Sequence, residues 1–148
     1  MDTINGFPFH FDDVPLSWAH CFCNGCPKHE GCMRYQTGMR IPDSLQAGAA
    51  IYPTAYSSGS CKYYKAIRVI HSAYGFRQLF RNVKQVDYTP LRQEMKQFLG
   101  SHGAYYRYNR GERLLTPEQQ QWILRLFDRY GYKTGLAFDH YRDVFDFS

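Results

Sequence analysis

Residues 21–32 read CFCNGCPKHEGC, and the shape of the early chain turns on how this stretch is held. It contains Cys21, Cys23, Cys26 and Cys32, and the fifth and last cysteine, Cys61, follows a Ser-Gly-Ser turn. The residues between the thiols are turn formers and polar groups, too poor in apolar surface to fold by burial alone. A bound ion would supply what is missing. Structural zinc takes four ligands in a tetrahedron, and its binding free energy counts as folding free energy. An odd number of cysteines, all between positions 21 and 61, suits thiolate ligation in a reducing compartment better than a secreted disulfide framework.

Spacing leaves the ligand set open. Cys23-Asn24-Gly25-Cys26 has the two-residue gap of a zinc knuckle, but Cys61 stands alone where a second pair would be needed. Cys26-Pro27 is also a pairing met beside iron–sulfur ligands, whose spacings are irregular, so a [4Fe-4S] cluster is the alternative to zinc. His20 and His29 are near enough in sequence to replace a thiolate. Five unligated, partly buried thiols are the plainest alternative.

The rest of the chain sets the frame. A length of 148 residues fits one domain with a core of its own. We read a small, helix-dominated α+β domain over 1–148, with a Cys-rich metal-binding subregion at 1–61 and a basic, aromatic core at 62–148. Aromatics make up 18% of the chain, so Phe, Tyr and Trp fill much of that core, and buried tyrosines need hydroxyl partners. The start, MDTINGFPFHFDD, has no charged segment followed by an apolar run, and no stretch nears the ~18 apolar residues of a membrane span. The expectation is a soluble, cytoplasmic protein without a membrane partner.

Thr116-Pro117 opens a helix, because a hydroxyl cap precedes a proline whose missing donor is harmless in the first turn, and Gln119 completes a capping box. Trp122, Ile123, Leu126, Phe127 and Tyr130 share its apolar face, and Gly131 stops it. Thr89-Pro90 marks a second helix start, ended by Gly100. Phe76 to Val83 reads as a shorter helix, and Leu136 to Phe147, with Phe138, Tyr141 and Phe145 at helical spacing, as a terminal one. Gly111, between two runs of strand character, predicts a β-hairpin turning at Asn109 to Gly111 between the C-terminal helices. Ile51–Tyr56 and Lys65–Ile70 are weaker strand candidates.

The net charge of +5 is concentrated: residues 61–133 carry fourteen basic groups against five acidic ones. Arg107, Arg110 and Arg113 surround the expected hairpin turn, interleaved with Tyr105 and Tyr108, and Arg77 and Arg81 extend the surface. Arginines that fork onto phosphates, beside tyrosines that stack on bases, are the equipment of a nucleic-acid surface. A solvated basic face over core tyrosines has the same composition.

The stretches WAHCFCNGCPKHEGCMRY, SGSCKYY, AYYRYNRGERLLTPEQQQWI and FDHYRDVFDF together resemble a family of small bacterial proteins known only as a domain of unknown function. That family's pattern has a cysteine at position 21, Cys-Pro at 26 and 27, Cys-Leu-Arg where this chain has Cys32-Met33-Arg34, and a lone later cysteine at 61. The resemblance implies Cys21, Cys26, Cys32 and Cys61 as metal ligands, with Cys23 the extra thiol, against the knuckle reading. It brings no established activity.

Catalytic motifs are not in view. Asp139 and Asp143 with His140, or Cys61 with His71, are the nearest approaches to a site, and solvated charges and a fourth thiolate explain them more simply. The leading expectation is a non-enzymatic, metal-stabilised binding domain that contacts nucleic acid. A protein–protein interaction adaptor and an iron–sulfur redox or iron sensor are the alternatives.

Overall fold

The computed structural model describes residues 2–57 and 59–148. Met1 and Ser58, the latter in the turn read before Cys61, lie outside the described residues. Helices and small sheets mix along the chain as an α+β fold with more helix than strand. The residues group into two compact units, Met1–Arg68 with Phe147–Ser148, and Val69–Asp146. The division falls at Arg68, later than the end of the Cys-rich subregion at Cys61.

The first unit opens with antiparallel β1 (Thr3–Ile4) and β2 (Phe7–Pro8). Asn5 and Gly6 between them have φ of 51° and 81°, the two left-handed residues that a type I′ turn requires. Further on, β3 (His20–Cys21) runs parallel to β4 (Ala50–Ile51), with Cys21 facing Ile51. Against β3 packs α1 (Met33–Gly38). Met33 and Trp18 are buried, and the Trp18 indole N–H donates to Thr37 Oγ1 at 3.1 Å. The Phe147 ring meets Trp18 edge-on at 5.1 Å. Arg34 binds this unit together. Its guanidinium lies 4.1 Å over the Trp18 ring and donates to the Ala19 and Tyr63 carbonyls at 3.0 and 2.8 Å.

In the second unit, β5 (Val69–Tyr74) pairs antiparallel with β6 (His140–Phe145), Val69 opposite Phe145 and Tyr74 opposite His140. Three helices complete it: α2 (Gln85–Leu99), α3 (His102–Arg110) and α4 (Pro117–Arg129). Its core is aliphatic as well as aromatic, with Leu91, Met95, Leu115, Ile123, Leu126 and Phe127 inaccessible to solvent. The start of α4 is as read from the sequence. Gln119 N–H donates to Thr116 Oγ1 at 3.2 Å, and Thr116 N–H donates to Gln119 Oε1 at 2.9 Å.

Several expectations are corrected. The hairpin at Asn109 to Gly111 is absent: residues 102–110 are helical, Ser101 caps Ala104 N–H at 3.0 Å, and Gly111, with φ of 85°, is the left-handed residue that ends the helix. A glycine with positive φ serves both structures, and the burial of Tyr105 and Tyr108 at helical spacing decides for the helix. The tail is the strand β6, because Val69–Tyr74 offers it a ladder that no local pattern reveals. Phe76 to Val83 forms consecutive turns rather than a helix. Asp139 holds that segment by accepting from the amides of Arg77 and Gln78 at 3.0 and 2.7 Å.

Helix α2 starts at Gln85, so Pro90 lies inside it. The start is fixed from outside. Tyr132 Oη accepts from Lys84 N–H at 2.9 Å and donates to Asp87 Oδ2 at 2.6 Å, so the first turn is held without the Thr89 cap. The strand expected over Ile51–Tyr56 shortens to β4, since Pro53 opens a 3-10 turn through Tyr56. The strand expected over Lys65–Ile70 begins only at Val69.

Candidate metal centre

All five cysteines line one small hollow in the first unit, with a volume of about 30 Å³. Cys21 ends β3. Cys23 and Cys26 bracket a turn closed by Cys26 N–H to the Cys23 carbonyl at 3.4 Å, and two more turns follow, His29 to Cys26 and Cys32 to His29, each bond 3.1 Å. Successive turns of three residues thus carry the chain from Cys23 to Cys32. Cys32 is the residue before α1 and bridges Ala66, and Met33 N–H donates to the Lys65 carbonyl at 2.6 Å. That bridge brings the segment carrying Cys61 against the others.

The thiols are free of disulfides, and among the described residues no three His, Cys, Asp or Glu side chains stand in ready-made ligand geometry. Aromatic rings close the remaining walls, among them Tyr35, Tyr56 and Tyr64. Tyr35 Oη donates to Asn24 Oδ1 at 2.5 Å, and Lys28 lies 5.3 Å over the Tyr64 ring.

Electrostatics mark the crowding. Burial pushes the Cys21 thiol up, and charge on Cys32, Cys23 and Cys26 pushes it further, while a hydrogen bond from the Cys23 backbone N–H to its sulfur works the other way. Tyr56 is raised chiefly by the hydrogen bond its hydroxyl makes to Cys23, then by charge on that sulfur and by burial. Thiolates gathered in one hollow repel one another unless a cation stands among them, and a cation reverses the sign.

Of the two histidines, His29 lines the hollow and turns Nδ1 to the Cys26 carbonyl at 2.6 Å. His20 lines a separate hollow of about 240 Å³ with Phe22, Ile41 and Leu45. Its Nδ1 lies 2.9 Å from Thr37 Oγ1. That hydroxyl already accepts from Trp18 and donates to the Arg34 carbonyl, so a single arrangement satisfies all three contacts: Nδ1 carries the proton. Burial, then Arg34, lowers the His20 pKa, which keeps the ring neutral.

The basic residues are placed as follows. Arg107, Arg110 and Arg113 are exposed at the end of α3 and in the loop after it, where cations suit the helix C-terminus. Arg110 pairs with Glu112 at 2.8 Å, and Arg113 covers the Tyr108 ring at 4.9 Å. Exposed Arg77 is held near them, since Phe76 N–H donates to Asn109 Oδ1 at 2.9 Å; Arg81 is exposed farther along the same turns. Tyr105 and Tyr108 are each 4% exposed, so neither is a platform for a base. Tyr105 belongs to the core, where burial pushes its pKa up to about 12.

Sequence reasoning missed Gly38, Arg34 and Tyr56. Gly38 lets α1 lie on Cys21, for a Cβ there would stand 2.2 Å from the Cys21 carbonyl oxygen. Arg34 was legible as part of Cys32-Met33-Arg34 without its role. Tyr56 carried no local signal.

The model of a family described as "Family of unknown function (DUF6078)" matches residues 1–147. No curated protein and no solved structure matches the chain.

Proposed function

The chain belongs to that family, whose description carries no activity, and we propose from the geometry that the hollow is a structural zinc centre with Cys21, Cys26, Cys32 and Cys61 as ligands. The observation that carries this is the gathering of thiols from residues 21–32 and from Cys61 around about 30 Å³ of space. A space that size has room for an ion, since a single water-sized sphere needs roughly 10–15 Å³. Zinc would draw the four sulfurs in to Zn–S distances of about 2.3 Å. The Cys23 amide then supports the Cys21 sulfur from outside the ligand shell, as such hydrogen bonds do for metal ligands generally. Anaerobic purification followed by elemental analysis and a visible spectrum tests this: colourless protein with one zinc per chain is expected. Brown protein with iron would replace zinc by the cluster, and metal-free protein would end the proposal.

We propose further that the chain binds nucleic acid through phosphates, with Arg107, Arg110, Arg113, Arg77 and Arg81 as the contacts. Support comes from the exposed arginines gathered around the end of α3. With Tyr105 and Tyr108 in the core, contact is electrostatic rather than by stacking. Affinity for duplex therefore falls with log salt at a slope of about −0.9 per phosphate neutralised. Gel shifts at rising salt measure it, and no shift at low salt sinks this part.

A further inference from the structure

Five thiols share a hollow that a tetrahedral ion would saturate with four. On the ligand set above, Cys23 is left over, in contact with the centre but outside it. It is partly accessible, as Cys21, Cys26 and Cys61 are, whereas Cys32 is buried. Two features bear on the chemistry of Cys23. Its sulfur receives the Tyr56 hydroxyl, which reaches it because Gly25 has no side chain: a Cβ at Gly25 would meet Tyr56 Oη at 2.8 Å. It also sits three residues from Cys26 across a closed turn. The ends of such a turn lie less than about 7 Å apart, within the span that a disulfide bridges.

We propose that Cys23 is a site of oxidation by hydroperoxides, and that the oxidised sulfur then bonds to Cys26 and frees the ion. The inference rests on the zinc centre with Cys26 as a ligand. In the first step the Cys23 sulfur takes the terminal oxygen of the peroxide. The S–O bond forms as the O–O bond breaks, sulfur loses two electrons, and the thiol proton leaves with the alcohol or water released. In the second, the Cys26 sulfur leaves the ion and attacks the sulfenic sulfur. The S–S bond forms, the S–O bond breaks, and the departing hydroxide takes a proton from solvent as water. An ion left with three thiolates is held more weakly. Tyr56 offers its hydroxyl to the site of both steps.

The test uses the full chain with its metal content measured first. Hydrogen peroxide is added, released zinc is followed with a chromogenic chelator, and disulfides are mapped by peptide mass spectrometry after alkylation. The expected result is zinc release from the unaltered chain in step with a Cys23–Cys26 disulfide, and release at least about tenfold slower from Cys23→Ser. Equal release rates, or a disulfide that omits Cys23, overturn the proposal while leaving the zinc centre standing. A Cys23→Ser chain purified without metal makes Cys23 a ligand and overturns it too. Absence of metal from the unaltered chain is a separate result, which removes the centre and this proposal with it.

Discussion

A methyl group at position 38 has nowhere to go. Gly38 ends α1 against β3, and a Cβ there would lie 2.2 Å from the Cys21 carbonyl oxygen, 3.1 Å from its carbon and 3.3 Å from its nitrogen. These are backbone atoms, which cannot swing aside as a side chain can. Replacing a helical glycine by alanine ordinarily gains about 1 kcal/mol of helix propensity; here overpacking of about 1–3 kcal/mol outweighs it. Gly38→Ala is expected to lower the melting temperature and to weaken metal retention by displacing Cys21. Gly48→Ala, with nothing within 4 Å of its Cβ, is expected to leave both unchanged, and equal behaviour of the two variants would contradict the packing account. Gly38 was illegible in the sequence because its constraint comes from a residue seventeen positions away. The Asn5-Gly6 turn, by contrast, is written in two adjacent residues.

Among the elements, α4 shows what local chemistry settles. Thr116, Pro117 and Gln119 hold its first turn, and Ile123, Leu126 and Phe127 bury its apolar face. Thr116→Ala removes the side-chain half of the capping box, for an expected loss of about 1 kcal/mol and about 2–4 °C in melting temperature. Calorimetry reads it, and no change would show that the cap is redundant with packing. In α2 the same signal misleads. Thr89-Pro90 looks like a helix start, but Tyr132, from beyond α4, fixes the first turn at Lys84 and Asp87. The end of α3 was ambiguous for another reason: Gly111 closes a hairpin or a helix equally well, and only burial of Tyr105 and Tyr108 separates the two. Likewise β6 is a strand because β5 pairs with it residue by residue, while Phe138, Tyr141 and Phe145 also match a helical period.

For the whole molecule, the two units differ in what holds them. The Val69–Asp146 unit has a large apolar core of its own. In the first unit the Cys-rich stretch is tied by turns, by Arg34 and by the proposed ion. Removing metal with a chelator is therefore expected to strip hydrogen-exchange protection from the turns and short elements between Trp18 and Ala66. Amides in α2 and α4 keep theirs. Mass-spectrometric exchange with and without chelator measures this; uniform loss across both units, or no loss in the first, would refute it.

What the sequence alone determined were features whose cause is local: the capped start of α4, the concentration of basic charge over residues 61–133, and the gathering of four thiols in one polar, turn-rich stretch. Tertiary structure decided whatever depends on a distant partner. It set the strand character of the tail, the burial of Tyr105 and Tyr108, the true start of α2, and the closeness of Cys61 to Cys32 through the bridge to Ala66. The physical reason is that capping and charge act between neighbours along the chain. Ladder pairing, side-chain burial and steric exclusion act between segments that meet only when the chain has folded.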